Sequence, residues 1–148
     1  MRHSDFTYLA AHGVLTFGDV EYRGACPKED LEQVTFFNRL RREYPKTLGV
    51  IALHPRNEGL KTKGQISSVE KHRAEGMVAG ASDVIIPAGV SFVCEIKRRD
   101  HSKSAWQDGQ MPYLIAAKDA GAFACVALGC DAAWQALEYW QAALGGGQ

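Results

Sequence analysis

Asp83, Glu95 and Lys97 are the residues of this chain whose types and spacing suit a hydrolytic centre. They stand in GASDVIIPAGVSFVCEIKRRD, residues 80–100, where one acid opens an apolar run and an acid two positions before a lysine closes the next. Side chains alternate along a strand, so Glu95 and Lys97 share one face while Cys94 and Ile96 take the other. A hairpin pairing 83–87 with 91–95 about Gly89 sets Asp83 directly opposite Glu95, with Cβ atoms about 4.5–5.5 Å apart. Two carboxylates at that range repel unless positive charge lies between them. A hard divalent cation such as Mg²⁺ meets that need: it takes oxygen ligands, uses one or two protein carboxylates, and completes its shell with water and phosphate oxygens. Lys97, on the same face, is placed to orient or help deprotonate a water and to balance charge on a phosphate. No phosphate-cradling glycine loop, Ser/His/Asp set or Cys/His cluster accompanies these residues. The chemistry they suit is metal-assisted hydrolysis of a phosphodiester. The competing reading is a solvated strand end with Lys97 as the salt-bridge partner of Asp83, worth about 0–1 kcal/mol.

The rest of the chain must position these groups. Its 148 residues are enough for one domain with a sizeable core. A formal charge of zero excludes a wholesale basic polyanion binder, so any nucleic-acid site has to be a local patch. Four cysteines without CxxC spacing, two of them inside apolar runs, indicate a reduced, cytoplasmic setting. The N-terminus has no signal-type apolar core, and no run approaches the length of a membrane span.

Residues 1–26 read as an N-terminal extension containing a hairpin, and 27–148 as the domain that carries the site. Pro27 precedes a helix through KEDLEQVTFFNRLRREYP, with Leu31, Val34, Phe37, Leu40 and Tyr44 on its apolar face. LGVIALH, residues 48–54, reads as a strand, and a polar loop leads to a second helix that stops at Gly76. The two strands of the hairpin follow, then the charged loop KRRDHSKS and a helix ended by Gly121. AFACVALG is a buried strand. The last helix has Asp131 as N-cap, Gly145 as stop and Ala133, Leu137, Trp140 and Leu144 on one face, with Trp134 at its edge. This order predicts an α/β domain with a mixed sheet, in which residues 91–129 form a parallel crossover.

From about residue 28 to 142 the chain resembles the PD-(D/E)xK nuclease superfamily, and more narrowly its VRR-NUC branch in small, phage-type stand-alone form. The likeness rests on Asp83 followed by Glu95-Ile96-Lys97, on Glu29 and Gln33 opening a helix that ends in Tyr44-Pro45, on His54-Pro55-Arg56-Asn57, on Gly76 through Gly80 to Asp83, and on Gln110 before Leu114 and Gly121. It implies a restriction-endonuclease-like core, a mixed β-sheet flanked by α-helices. It also implies that Asp83, Glu95 and the Ile96 carbonyl ligate Mg²⁺ or Mn²⁺, that Lys97 is the catalytic lysine, and that Glu29 reaches the site from the first helix. Gln110 then sits near the metal or the scissile phosphate. Ser82 replaces the proline usual before the aspartate. Glu32 competes with Glu29 and Gln107 with Gln110, the family spacing favouring Glu29 and Gln110. Arg98, Arg99 and Lys103, with His101, crowd positive charge beside the site, and Arg39, Arg41, Arg42, Lys61 and Lys63 offer further phosphate contacts. His54 and Asn57 are candidate site-wall residues. The implied activity is a metal-dependent DNA endonuclease, a homodimer selective for branched DNA such as four-way junctions. The alternatives are a catalytically silent nucleic-acid-binding module on the same fold and a small interaction protein with a salt-bridged strand edge.

Overall fold

The computed structural model describes residues 1–56 and 66–144, without the side chains of 66–69. The expectations for Asn57, Lys61, Lys63 and Gly145 lie outside the described residues. In chain order the elements are α1 (His3–Ala11), β1 (Leu15–Phe17), α2 (Glu29–Glu43), α3 (Leu48–Ile51), α4 (Ile66–Ala74), β2 (Val84–Ile86), β3 (Phe92–Lys97), α5 (Gln110–Asp119), β4 (Phe123–Leu128) and α6 (Cys130–Leu144). The strands form one mixed sheet in the order β1-β4-β3-β2, parallel except for the β2–β3 hairpin.

Alternation along the central strands divides the core. Phe92, Cys94 and Ile96 of β3, with Phe123, Cys125 and Ala127 of β4, pack on Phe36 and Leu40 of α2 and Leu137 and Trp140 of α6. Val93, Ala124, Val126 and Leu128 face the other way, toward Phe6 and Leu9 of α1 and Leu114 of α5. Glu95 and Lys97 continue the Val93 face, so both charged groups point to the α5 side. Trp140 Nε1 donates to the Val90 carbonyl at 2.8 Å and ties α6 to the hairpin turn.

Five expectations need correction. Residues 1–26 hold no hairpin: α1 and β1 pack into the core through Phe6, Leu9 and Val14, and β1 pairs in parallel with β4 as an edge strand. LGVIALH is not a strand. The Ala52 amide bonds the Leu48 carbonyl at 2.9 Å and closes the run into one helical turn, the Gly49 amide ties that turn to the Tyr44 carbonyl, and Leu53 bridges to Ile85. The buried face of α2 is Glu32, Phe36, Phe37 and Leu40, while Leu31 and Val34 are exposed. The helix is rotated because Glu32 turns inward and accepts from the Cys130 amide at the start of α6, and Phe36 meets Trp134 edge-on. Asp131 is therefore not the N-cap; it sits within the first turn of α6, and Glu32 supplies the carboxylate there. The φ of +94° at Gly129 favours glycine at that junction, and a Cβ there would stand 2.8 Å from Glu32 Oε2 and displace it. Leu144, at the helix end, is exposed, whereas Trp134 is buried.

Candidate active site

The hairpin pairs Val84 with Cys94, Ile85 with Val93 and Ile86 with Phe92, so one further step sets Asp83 opposite Glu95. Asp83 Oδ2 accepts from the Ile96 amide at 2.8 Å, fastening the first acid to the strand that bears the second. This strand end is not solvated: Glu95 is 1 % and Lys97 0 % exposed. The ion partner of Lys97 is Glu95, at 3.5 Å, rather than Asp83.

The Lys97 ammonium also donates to the Ala105 carbonyl at 2.9 Å and to Gln110 Oε1 at 2.8 Å. Those two oxygens take two of its protons, and the contact with Glu95 Oε1 is the ion pair. Trp106 presents its ring 5.0 Å from the same nitrogen. Gln110 Nε2 donates to Glu95 Oε1 at 2.7 Å, so one amide bridges the acid and the lysine. Gln110 rather than Gln107 occupies that position; the Gln107 amide instead donates to Gln110 Oε1 at 2.8 Å. Two glycines deliver Gln110. At Gly80 and Gly109, with φ of +81° and +86°, the loop before Asp83 touches the start of α5 backbone to backbone, and a Cβ on Gly80 would fall 2.2 Å from the Gly109 carbonyl carbon.

Among the described residues no donor reaches the buried Glu95 Oε2, and the Asp83 carboxyl stands within hydrogen-bond reach of the Glu95 carboxyl. Burial first, then the charge of Asp83, pushes the Glu95 carboxyl well above its usual range, despite the opposing pull of Lys97. Burial also raises Asp83, against the Ile96 amide and the nearby His54 and Lys97, which lower it. The charge of Glu29 raises both acids.

An open cleft of about 490 Å³ reaches Asp83, lined among others by Lys28, Glu29, His54, Arg98, Ser104 and Gln107. Glu29, at the first position of α2, enters it and accepts from Ser104 Oγ at 2.5 Å. Glu32 is instead committed to α6. His54 Nδ1 donates to the Asp83 carbonyl at 2.8 Å, so its ring stands in the cleft wall. Glu95 and Lys97 do not line the cleft. Ala105 and Gln107 do, and their backbone groups bind Lys97 and Gln110.

The three basic residues after the strand spend their side chains on residues 20–27. Arg98 donates to the Pro27 and Cys26 carbonyls at 3.0 and 2.8 Å, Lys103 to the Gly24 carbonyl at 2.7 Å, and Arg99 lies 3.9 Å over the Tyr22 ring. Asp100, held at a pKa of about 2 by the Ser102 hydroxyl and the Gly24 amide, anchors the same strap, and His101 bonds the Val20 carbonyl. Arg98 and Lys103 still line the cleft. Of the more distant cations, Arg39 pairs with Glu43 and covers Trp134, and Arg41 lies over Phe37. Sequence reasoning missed Ser104, the strap and the Ala105 carbonyl, since none has a residue-type signature.

The donor set is oxygen-only and carries an unpartnered buried carboxylate oxygen beside a second acid, which suits a hard divalent cation. Among the described residues no three His, Cys, Asp or Glu side chains stand in metal-holding geometry, so the protein's share would be two carboxylates and backbone.

The fold is that of a restriction-endonuclease-like α/β domain, a mixed four-stranded sheet flanked by helices. A solved structure described as a "VRR_NUC domain protein" matches with a TM-score of 0.62, over 80% of this chain and 91% of that one, at 21% identity. The chain shares that protein's fold, and at this level the VRR-NUC resemblance of the sequence holds. No protein-family model and no curated protein matches the sequence.

Proposed function

We propose that this chain is a divalent-metal-dependent nuclease of the VRR-NUC type, hydrolysing DNA phosphodiesters. The observation that carries the reading is the unpartnered Glu95 Oε2, buried opposite Asp83 and on the strand face of Lys97. Asp83, Glu95 and the Ile96 carbonyl would hold Mg²⁺ or Mn²⁺, which when bound there supplies a Lewis acid and a water of lowered pKa. Glu29 extends the acidic set from α2, next to Ser104. Gln110 orients Glu95 and Lys97 through its two amide ends. Lys97 has two protein acceptors by hydrogen bond and would have its remaining proton to offer a water or a phosphate oxygen once a cation held the Glu95 charge. Lys28, Arg98 and Lys103 at the cleft rim suit the strand's phosphates. The family resemblance extends the proposal to a homodimer acting on branched DNA.

A second reading, a catalytically silent nucleic-acid-binding module, is favoured by the burial of Lys97, whose ammonium is engaged by the Ala105 carbonyl, Gln110 and Glu95. Cleavage of labelled duplex, single-stranded and four-way-junction DNA by wild type and Lys97→Ala, with Mg²⁺, Mn²⁺ or EDTA, separates the two. The nuclease cuts with metal and stops with EDTA or with Lys97→Ala. Binding without cutting under every metal leaves the silent module.

A further inference from the structure

Ser104 stands at a junction that connects the strand end bearing Lys97 with the start of α2. Residues 98–103 leave β3, turn through the short 3-10 segment His101–Lys103, and bring Ser104 back beside Arg98. The Arg98 amide donates to Ser104 Oγ at 3.0 Å, and Ser104 Oγ donates to Glu29 Oε1 at 2.5 Å. A hydroxyl has one proton, and the Arg98 amide holds the acceptor side of this one, so the proton is directed at the carboxylate. The backbone of Ser104 is fixed as well: its amide bonds the His101 carbonyl at 3.1 Å, and its carbonyl accepts from the Met1 ammonium at 3.1 Å. Among the described residues Ser104 is the one hydrogen-bond partner of the Glu29 side chain. Without it, Glu29 is a side chain at a helix start, free to swing into an open cleft.

We infer that Ser104 is a positioning residue, which holds the Glu29 carboxylate toward the cation site formed by Asp83 and Glu95 and ties it to the strand end that carries Lys97. The inference rests on the metal-dependent reading above. Serine engages one Glu29 oxygen and leaves the other for a water on the cation. Partners that orient a ligand in this way are worth about 10–100-fold in metal affinity or activity.

The test compares wild type, Ser104→Ala, Ser104→Thr, Glu29→Gln and the Ser104→Ala/Glu29→Gln double variant. Mn²⁺ affinity is read by calorimetry, and Mn²⁺-dependent cutting is read on the wild type's preferred DNA. Ser104→Ala is expected to weaken Mn²⁺ binding about tenfold. Ser104→Thr, which keeps the hydroxyl, should bind as wild type does. Added to Glu29→Gln, Ser104→Ala should cost nothing more, because the two act as one unit. If Ser104→Ala melts early, Ser104→Cys, similar in size with a weak donor, takes its place in the comparison. Wild-type affinity in Ser104→Ala, or an equal loss in both backgrounds, overturns the inference while leaving a working nuclease. A wild type that neither binds Mn²⁺ nor cuts overturns the proposed function, and this inference with it.

Discussion

Along β3 and β4, Phe92 stacks on Phe123 with ring centroids 5.9 Å apart, and Cys94 registers with Cys125. One residue beyond Cys94 begins a stretch just as buried but made of Glu95, Ile96 and Lys97. In the first stretch burial is favourable by itself, at about 1.5–3 kcal/mol for a large apolar side chain. In the second, burial opposes the charged forms, and only hydrogen bonds and one ion pair offset it. Neighbouring parts of one strand pair thus follow opposite rules. The first stretch holds the sheet together, and the second tolerates strain at a single end of it. An unpartnered acid oxygen survives there because a larger apolar core stabilises the fold around it.

Substitution on each side of that boundary should give the largest contrast. Phe92→Ala is expected to cost about 3–5 kcal/mol of stability and to lower cutting only through the unfolded fraction. Lys97→Ala is expected to lower cutting by about 10²–10³-fold or more in protein that remains folded. Its stability cost should be about 1–3 kcal/mol, below the 3–5 kcal/mol usual for breaking a buried pair, since Glu95 is already biased toward its neutral form. Chemical denaturation and cleavage rates on the same samples check both. If Phe92→Ala and Lys97→Ala lose activity and stability in the same proportion, the boundary has no functional meaning.

The pH dependence sharpens the same contrast. Asp83 and Glu95 bind protons more readily in the folded chain than at their ordinary values of 3.8 and 4.5. Their contribution to stability is therefore full below those values and is lost as pH rises through the folded ones. Asp83→Asn removes one of the repelling charges and relieves the other. At neutral pH, without metal, it is expected to stabilise the protein by about 0.5–2 kcal/mol while abolishing cleavage. Mg²⁺ should raise the melting temperature of wild type but not of Asp83→Asn. Thermal melts from pH 5 to 8 with and without Mg²⁺ measure this, and a variant less stable than wild type throughout would contradict it.

The apolar stretch and the polar one differ also in how legible they were. The Asp83–Glu95 register followed from counting outward from Gly89, because a hairpin with period-two side chains leaves little choice. The parallel crossover and α6 followed from strong apolar runs. The face of α2 did not: Leu31 and Val34 fit a helical period, yet a buried Glu32 outbids them by serving α6, a tertiary demand that periodicity does not express. The α1–β1 unit was hidden because β1 has three residues and its pairing partner is β4, far along the chain. In LGVIALH an apolar run fits a short strand or a helical turn, and periodicity over so few residues does not choose between them. Gln110 was marked by family spacing, whereas Ser104 became visible only when the loop's return to Glu29 was in view.

Two glutamates on one helix give a smaller test of the same division. Glu32→Gln should cost about 1 kcal/mol through the start of α6 and leave cutting rates intact. Glu29→Gln should leave the melting temperature nearly unchanged and reduce cutting, by about 10–100-fold if it holds a water or cation. Reversal of the two phenotypes would exchange their roles.

The smallest expected effect concerns Lys103, which has two uses open to it. Its ammonium donates to the Gly24 carbonyl and also lines the cleft, so it either pins the strap or meets a phosphate. The uses differ in salt dependence. A lysine that contacts a phosphate releases a counterion, and its loss reduces the slope of log affinity against log salt by about 1. A lysine that only pins residues 20–27 leaves that slope unchanged and shifts stability by about 0.5–1.5 kcal/mol, the worth of one hydrogen bond. The cleft position favours the first, so Lys103→Ala should weaken DNA binding a few-fold at low salt, with the difference vanishing as salt rises. Binding isotherms at three or more salt concentrations decide it. An unchanged slope with a lowered melting temperature would assign Lys103 to the strap and leave Arg98 and Lys28 as the cations of the cleft rim.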